Sequence, residues 1–91
     1  MKNYIQLHEN DNIIIALTTF ELGSIIKLNN QEIVLKEAIG FGHKIAIKKI
    51  AINSKVLKYG LSIGSATQDI TVGEHVHSHN LTTDYLINNI K

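Results

Sequence analysis

Apolar positions in this chain fall into short β-branched runs set between turn residues. Ile13 to Leu17 is the most compact of them, and its length and flanks are those of a buried strand rather than a helix. Before it, Tyr4, Ile5 and Leu7 predict a first short strand, closed by the turn-forming Asn10-Asp11-Asn12. After it, strands are predicted at Ser24 to Leu28, Ile33 to Leu35, Ile45 to Ile47, Val56-Leu57, around Ile63, and from Val72 to His79. Asn29-Asn30 and Gly40-Phe41-Gly42 supply turns between them. Thr18 to Leu22 reads as a helical turn or a loop, and Leu81 to Ile87 as a last strand or a helical turn. The expected fold is therefore a small, mostly β domain over residues 1–91, all-β apart from at most one or two short helices.

A repeat lies under these runs. Aligning Ala16, Ala46 and Ala66 places Phe20, Ile50 and Ile70 in one column and Leu22, Ile52 and Val72 in the next. Gly23, Asn53 and Gly73 then coincide, as do Ile26, Val56 and Val76. Each unit reads as an alanine, a linker, an apolar pair, a turn and a strand. Gly and Asn most readily accept a positive φ, so Gly23, Asn53 and Gly73 are expected to occupy equivalent turns. The spacings are unequal, which points to one internally similar β unit rather than a solenoid.

Composition narrows the function classes. With 44% hydrophobic and 19% charged residues and a net charge of +1, the chain offers no electrostatic case for nucleic acid or an anionic membrane. The absence of cysteine excludes disulfides and thiolate metal sites. No apolar run approaches the roughly 20 residues of a spanning helix, and the first residues lack an apolar signal core. A soluble, cytoplasmic protein is expected.

Chemistry concentrates in Glu74-His75-Val76-His77-Ser78-His79-Asn80, where three of five histidines stand at alternate positions. On an extended strand His75, His77 and His79 would share one face, with neighbours ~6.6 Å apart and the outer two about 13 Å apart at Cα. A metal bound through imidazole would then engage His77 with one neighbour, and other ligands would come from elsewhere. Solvated histidines on an exposed strand are the alternative. Two further polar groups stand at strand or loop ends, His43-Lys44 after Gly40-Phe41-Gly42 and Lys58-Tyr59-Gly60. Lys44 or Lys58 suits a carboxylate partner, or a base if burial lowers its pKa. Tyr59 reads as core or wall, and His8 as surface.

These residues, taken together, resemble a known family. Gly42-His43-Lys44-Ile45-Ala46, Lys58-Tyr59-Gly60, Ile63-Gly64, Asp69-Ile70 and the run from Gly73 to Leu81 are similar, in order and spacing, to the SAF domain of the altronate and galactarate dehydratases. The similarity extends from about residue 11 to 81. It implies a β-clip fold, small, twisted and mostly β.

It also implies a part in elimination from a sugar acid. Members remove water from hexarates or hexonates to give 2-keto-3-deoxy acids and use a divalent metal, usually Fe²⁺ or Mn²⁺. A close relative is the small subunit of sulfolactate sulfo-lyase, which expels sulfite instead. The expectation is a small subunit or N-terminal domain of a metal-dependent hydro-lyase that is inactive alone. It would dock on a large catalytic subunit, with His43, Lys44 and Lys58 as catalytic residues and His75, His77 and His79 as metal ligands. Self-association is compatible with this. The alternatives are the sulfo-lyase subunit, a non-catalytic module that binds a carbohydrate acid or metal, and an assembly adaptor.

Overall fold

The computed structural model describes residues 3–84. Its regular elements are all strands: β1 (Tyr4–Ile5), β2 (Ile13–Ala16), β3 (Ile25–Leu28), β4 (Gln31–Val34), β5 (Lys44–Ala46), β6 (Lys55–Lys58), β7 (Leu61–Ala66), β8 (His75–Val76) and β9 (Leu81–Thr82). The all-β expectation holds. Among the described residues no helix is long and apolar enough to cross a membrane. Strands pair antiparallel in three sheets, ordered β1-β2-β5-β8, β3-β4 and β6-β7-β9.

The central sheet is covered on both faces, which is why β2 reads as an unbroken apolar run. Ile14 and Ile45 pack on one side with Phe20, Ile26, Ile33, Leu35 and Ile39. Ile13 and Ala46 pack on the other with Ile50, Val56, Ala66, Ile70 and Val76. Alternate residues of β2 and β5 thus enter different cores, as the period of a strand requires. Burying each isoleucine contributes roughly 1.5–3 kcal/mol before the entropy of ordering it is subtracted.

The three aligned turns are equivalent. Gly23, Asn53 and Gly73 have φ of 87°, 72° and 92°. In each, the following N–H donates to the carbonyl three residues back, Ser24 to Glu21 at 3.0 Å, Ser54 to Ala51 at 2.9 Å and Glu74 to Thr71 at 3.2 Å. A fourth copy completes the set. Gly42 has φ 84°, and the His43 N–H donates to the Gly40 carbonyl at 3.1 Å. The units are 16–24, 35–43, 46–54 and 66–74.

Units associate in pairs through matching bonds. Phe20 and Ile39 exchange both backbone hydrogen bonds, as do Ile50 and Ile70. The turn residue of each unit donates to the first carbonyl of its mate: Gly23 to Leu35, Gly42 to Ala16, Asn53 to Ala66 and Gly73 to Ala46. The last carbonyl of each unit accepts from the first N–H of the other, His43 from Ala16, Ser24 from Leu35, Glu74 from Ala46 and Ser54 from Ala66. The chain is two pseudo-symmetric pairs, each enclosing one apolar cluster.

Of the two readings for Thr18 to Leu22 the loop holds, because Phe20 is committed to its extended exchange with Ile39. Several other local expectations need correction. β2 stops at Ala16, leaving Leu17 exposed. At the turn tips Leu22 and Ile52 are 68% and 51% exposed and lie outside the core, whereas Val72 is half-buried and packs against the first apolar cluster. The strand predicted from Val72 to His79 shrinks to His75–Val76, because Val72-Gly73 form a turn before it and Ser78 to Asn80 a turn after it. Leu81–Thr82 is the strand β9, while Tyr85 to Ile87 lie outside the described residues.

Candidate metal centre

His43 closes the second unit and His75 follows the fourth, so the site forms where the two pairs of units meet. Pairing of β5 with β8 sets Ile45 opposite His75 and Lys44 opposite Val76. Residues directly opposite in an antiparallel pair share a face. His75 therefore lies on the side of Ile45, and Lys44 on the side of Val76.

Three imidazoles, those of His43, His77 and His79, gather around His75. The His43 Nδ1 and His75 Nε2 atoms are 2.8 Å apart. The His75 and His77 rings stack, with centroids 5.4 Å apart and planes at 8°. His43 lies 4.8 Å from His75 and 5.4 Å from His77, centroid to centroid. His79 reaches within 5.6 Å of the His75 ring. One donor nitrogen each from His43, His75 and His77 falls within 4.8 Å of the others.

This changes the geometry expected of an extended ladder. The outer histidines, His75 and His79, are neighbours, and His75 rather than His77 is the ring that lies close to all three of the others. The cause is the turn after Val76, which folds residues 77–80 back. Asn80, wholly buried, holds that turn: its Nδ2 donates to the His75 carbonyl at 2.8 Å, and its Oδ1 accepts from the His77 N–H at 2.9 Å. His43 joins His75 and His77 as the third close imidazole, and His79 stays at the rim, exposed.

Burial and charge act together on His75. Its pKa is lowered from 6.5, first by burial and then by His43, with smaller contributions from His77 and His79; Glu37 opposes the shift. The Glu37 Oε2 also accepts the His75 backbone N–H at 3.1 Å. Neutral imidazole, the form that binds a metal, is therefore favoured.

Lys44 and Lys58 belong to another environment. The Lys44 pKa is lowered by burial and then by the Lys58 charge, and Lys44 stands on the face opposite His75. The register thus sends His43 and Lys44, adjacent in sequence, to different sides. Lys58 also lies 5.9 Å from the Tyr59 ring centroid. Tyr59 itself is 62% exposed rather than core. It shares a tight turn with Gly60, at φ 59° and 73°, and the buried Asp11 carboxylate accepts both N–H groups, at 3.0 and 2.7 Å. His8 is exposed, as expected.

Three residues important here carry no signal in apolar periodicity. Glu37, Asn80 and Asp11 act by accepting or donating to backbone groups distant in sequence or across a turn. In the sequence Asn80 reads only as the end of the histidine run, and Asp11 only as a turn former.

Comparison with known proteins follows the same residues. Altronate dehydratase of Bacillus subtilis is 42% identical over 84 residues, which are 92% of this chain and 17% of that protein. Altronate dehydratase of Escherichia coli is 42% identical over 81 residues, covering 89% of this chain and 16% of the relative. The (2R)-sulfolactate sulfo-lyase subunit alpha of Chromohalobacter salexigens is 49% identical over 49 residues, 54% of this chain and 52% of that subunit. The chain thus spans less than a fifth of the dehydratases it matches. Residues 2–84 match the model of the altronate/galactarate dehydratase SAF domain, and the chain belongs to that family.

Proposed function

We propose that this chain is the SAF part of a metal-dependent lyase acting on a sugar acid, and that it contributes His43, His75 and His77 to a metal centre completed by a larger catalytic chain. The observation carrying this reading is the convergence of three donor nitrogens within 4.8 Å. Nitrogens sharing one metal at ~2.1 Å each lie up to about 4.2 Å apart, so small ring rotations suffice. The donor set fits. Imidazole suits Fe²⁺ and Zn²⁺, and Fe²⁺ or Mn²⁺ is the expectation for this family. A bound divalent ion would supply Lewis acidity toward an oxygen of the substrate.

The chain's own groups do the rest. The His43 Nδ1 and His75 Nε2 atoms lie 2.8 Å apart, and a metal held by both would displace the hydrogen bond between them. Lys44, on the other face, feels the Lys58 charge, and two such cations would suit a carboxylate. Because the imidazoles and Lys44 occupy different faces of the described residues, one small acid does not reach both, and further chain would be needed to bury it. The dehydratase relatives, with more than four-fifths of their length beyond the match, support a large partner region.

A second reading is favoured by the sulfo-lyase relative, which is the alpha subunit of that enzyme. One experiment separates the two. The matching segment of Bacillus subtilis altronate dehydratase is replaced by this chain, and the chimera is assayed with altronate, galactarate and (2R)-sulfolactate. Altronate or galactarate turnover that is lost on His75→Ala supports the dehydratase reading. Turnover of sulfolactate alone supports the sulfo-lyase reading. A folded chimera inactive on all three overturns both.

A further inference from the structure

We infer that Asn80 is the positioning residue that assembles the imidazole trio, acting through the peptide groups of His75 and His77 rather than through their rings. This rests on the reading of His43, His75 and His77 as a metal centre. Asn80 is 0% exposed, although it sits in a surface turn flanked by the exposed Ser78 and His79. A buried amide must find partners for both ends, and here both partners belong to ligand residues. The Nδ2 donates to the His75 carbonyl and the Oδ1 accepts from the His77 N–H. Its backbone extends the same clamp. The Asn80 N–H donates to the His77 carbonyl at 3.0 Å, and its own carbonyl accepts from the Thr67 N–H at 2.9 Å, anchoring the turn to the fourth unit.

The consequence is geometric. An extended chain would send His79 away from His75 at ~3.3 Å per residue. The clamp closes the chain instead, stacking His77 on His75 and returning His79 to within 5.6 Å. Only a side chain with one donor and one acceptor on a short stem satisfies both peptide groups at once. Aspartate keeps the acceptor but turns an oxygen toward the His75 carbonyl. The site therefore depends on an amide that touches no metal and no ring.

The test compares wild type and Asn80→Asp in the full chain, with Zn²⁺ alone as the probe. Calorimetry reads affinity, and nuclear Overhauser contacts between the His75 and His77 rings read positioning in the metal-free protein. We expect about a 10- to 100-fold loss of Zn²⁺ affinity, the range typical for residues that orient ligands. Ring contacts should be lost while the Ile13 and Ile45 core resonances persist. A folded variant that keeps the ring contacts overturns the proposal. If wild type binds no Zn²⁺, the metal reading fails while the ring contacts still decide the role of Asn80. Should Asn80→Asp not fold, Asn80→Ala, which has neither donor nor acceptor, takes its place with the same expectations. Loss of the fold in both makes Asn80 a residue of the core and overturns the inference.

Discussion

The Nδ1 atom of His43 and the Nε2 atom of His75 stand 2.8 Å apart, so one nitrogen carries the proton between them and the other accepts it. Two imidazolium ions would oppose N–H to N–H, which agrees with the lowered pKa of His75. His75 touches every other histidine of the cluster, and the consequences of losing it are the largest. His75→Ala should lower Zn²⁺ affinity by about 100-fold or more, about 2.8 kcal/mol, and His79→Ala should cost least. Calorimetric titration of the four single alanine variants ranks them directly. Equal losses at His75 and His79 would contradict the central place of His75.

Turn glycines should separate by what stands behind them. At Gly23 the backbone is left-handed but a Cβ would meet nothing within 4 Å. Gly23→Ala should cost about 1 kcal/mol, the conformational strain alone. At Gly73 a Cβ would come within 2.2 Å of the Val34 carbonyl oxygen, so the end of the β3-β4 hairpin must move. Gly73→Ala should cost roughly 3 kcal/mol or more. Urea denaturation gives both values.

Lys44 should be unusually nucleophilic for a lysine. Burial and the Lys58 charge lower its pKa from 10.5. The unfolded state consequently binds this proton more tightly, and below the folded-state value the folded state bears the whole penalty. Lys44→Met, which keeps the apolar stem, should raise stability near neutrality, and the gain should shrink as pH rises toward 10.5. Limited acetylation followed by mass spectrometry should mark Lys44 before Lys48 and Lys49, both exposed. A uniform labelling pattern would argue against the shift.

Asp84 ties β9 to the β6-β7 hairpin. It pairs with Lys55 and accepts from the Ser65 hydroxyl at 2.8 Å. The Lys55 hydrogen bond, then that of Ser65, lowers its pKa from 3.8. Its stabilisation is present above 3.8 and is lost as pH falls through the folded-state value. Thermal melts of wild type and Asp84→Asn should differ near neutrality and converge below that value. The difference should be small, since the pair is exposed.

Much of the fold is legible in the chain because strand and turn chemistry are local. Ile13 to Ala16 declares itself by β-branching, and Gly23, Asn53 and Gly73 by the positive φ they accept. The second unit escapes an alignment anchored on alanine, since Leu35 holds that place. Its signature survives in Ile39, Phe41 and Gly42, spaced like Phe20, Leu22 and Gly23. At the site, residue types are legible and geometry is not. Alternation of His75, His77 and His79 suggests a strand face, but the buried Asn80 amide bends the chain after Val76. Strand parity likewise divides His43 from Lys44, and only the register of β5 against β8 reveals which core each one faces.

The pairing of units bears on the order in which the molecule is made. Units 16–24 and 35–43 are joined through the short β3-β4 hairpin, and 46–54 and 66–74 through β6-β7, so each closure spans few residues and costs little loop entropy. Each pair is thereby a natural early folding unit. His43 arrives with the first and His75 and His77 with the second, and no shorter fragment brings them together. Metal capture would then wait for the last docking step, and in a pulse-labelling experiment the imidazoles should acquire protection only after both apolar clusters have formed.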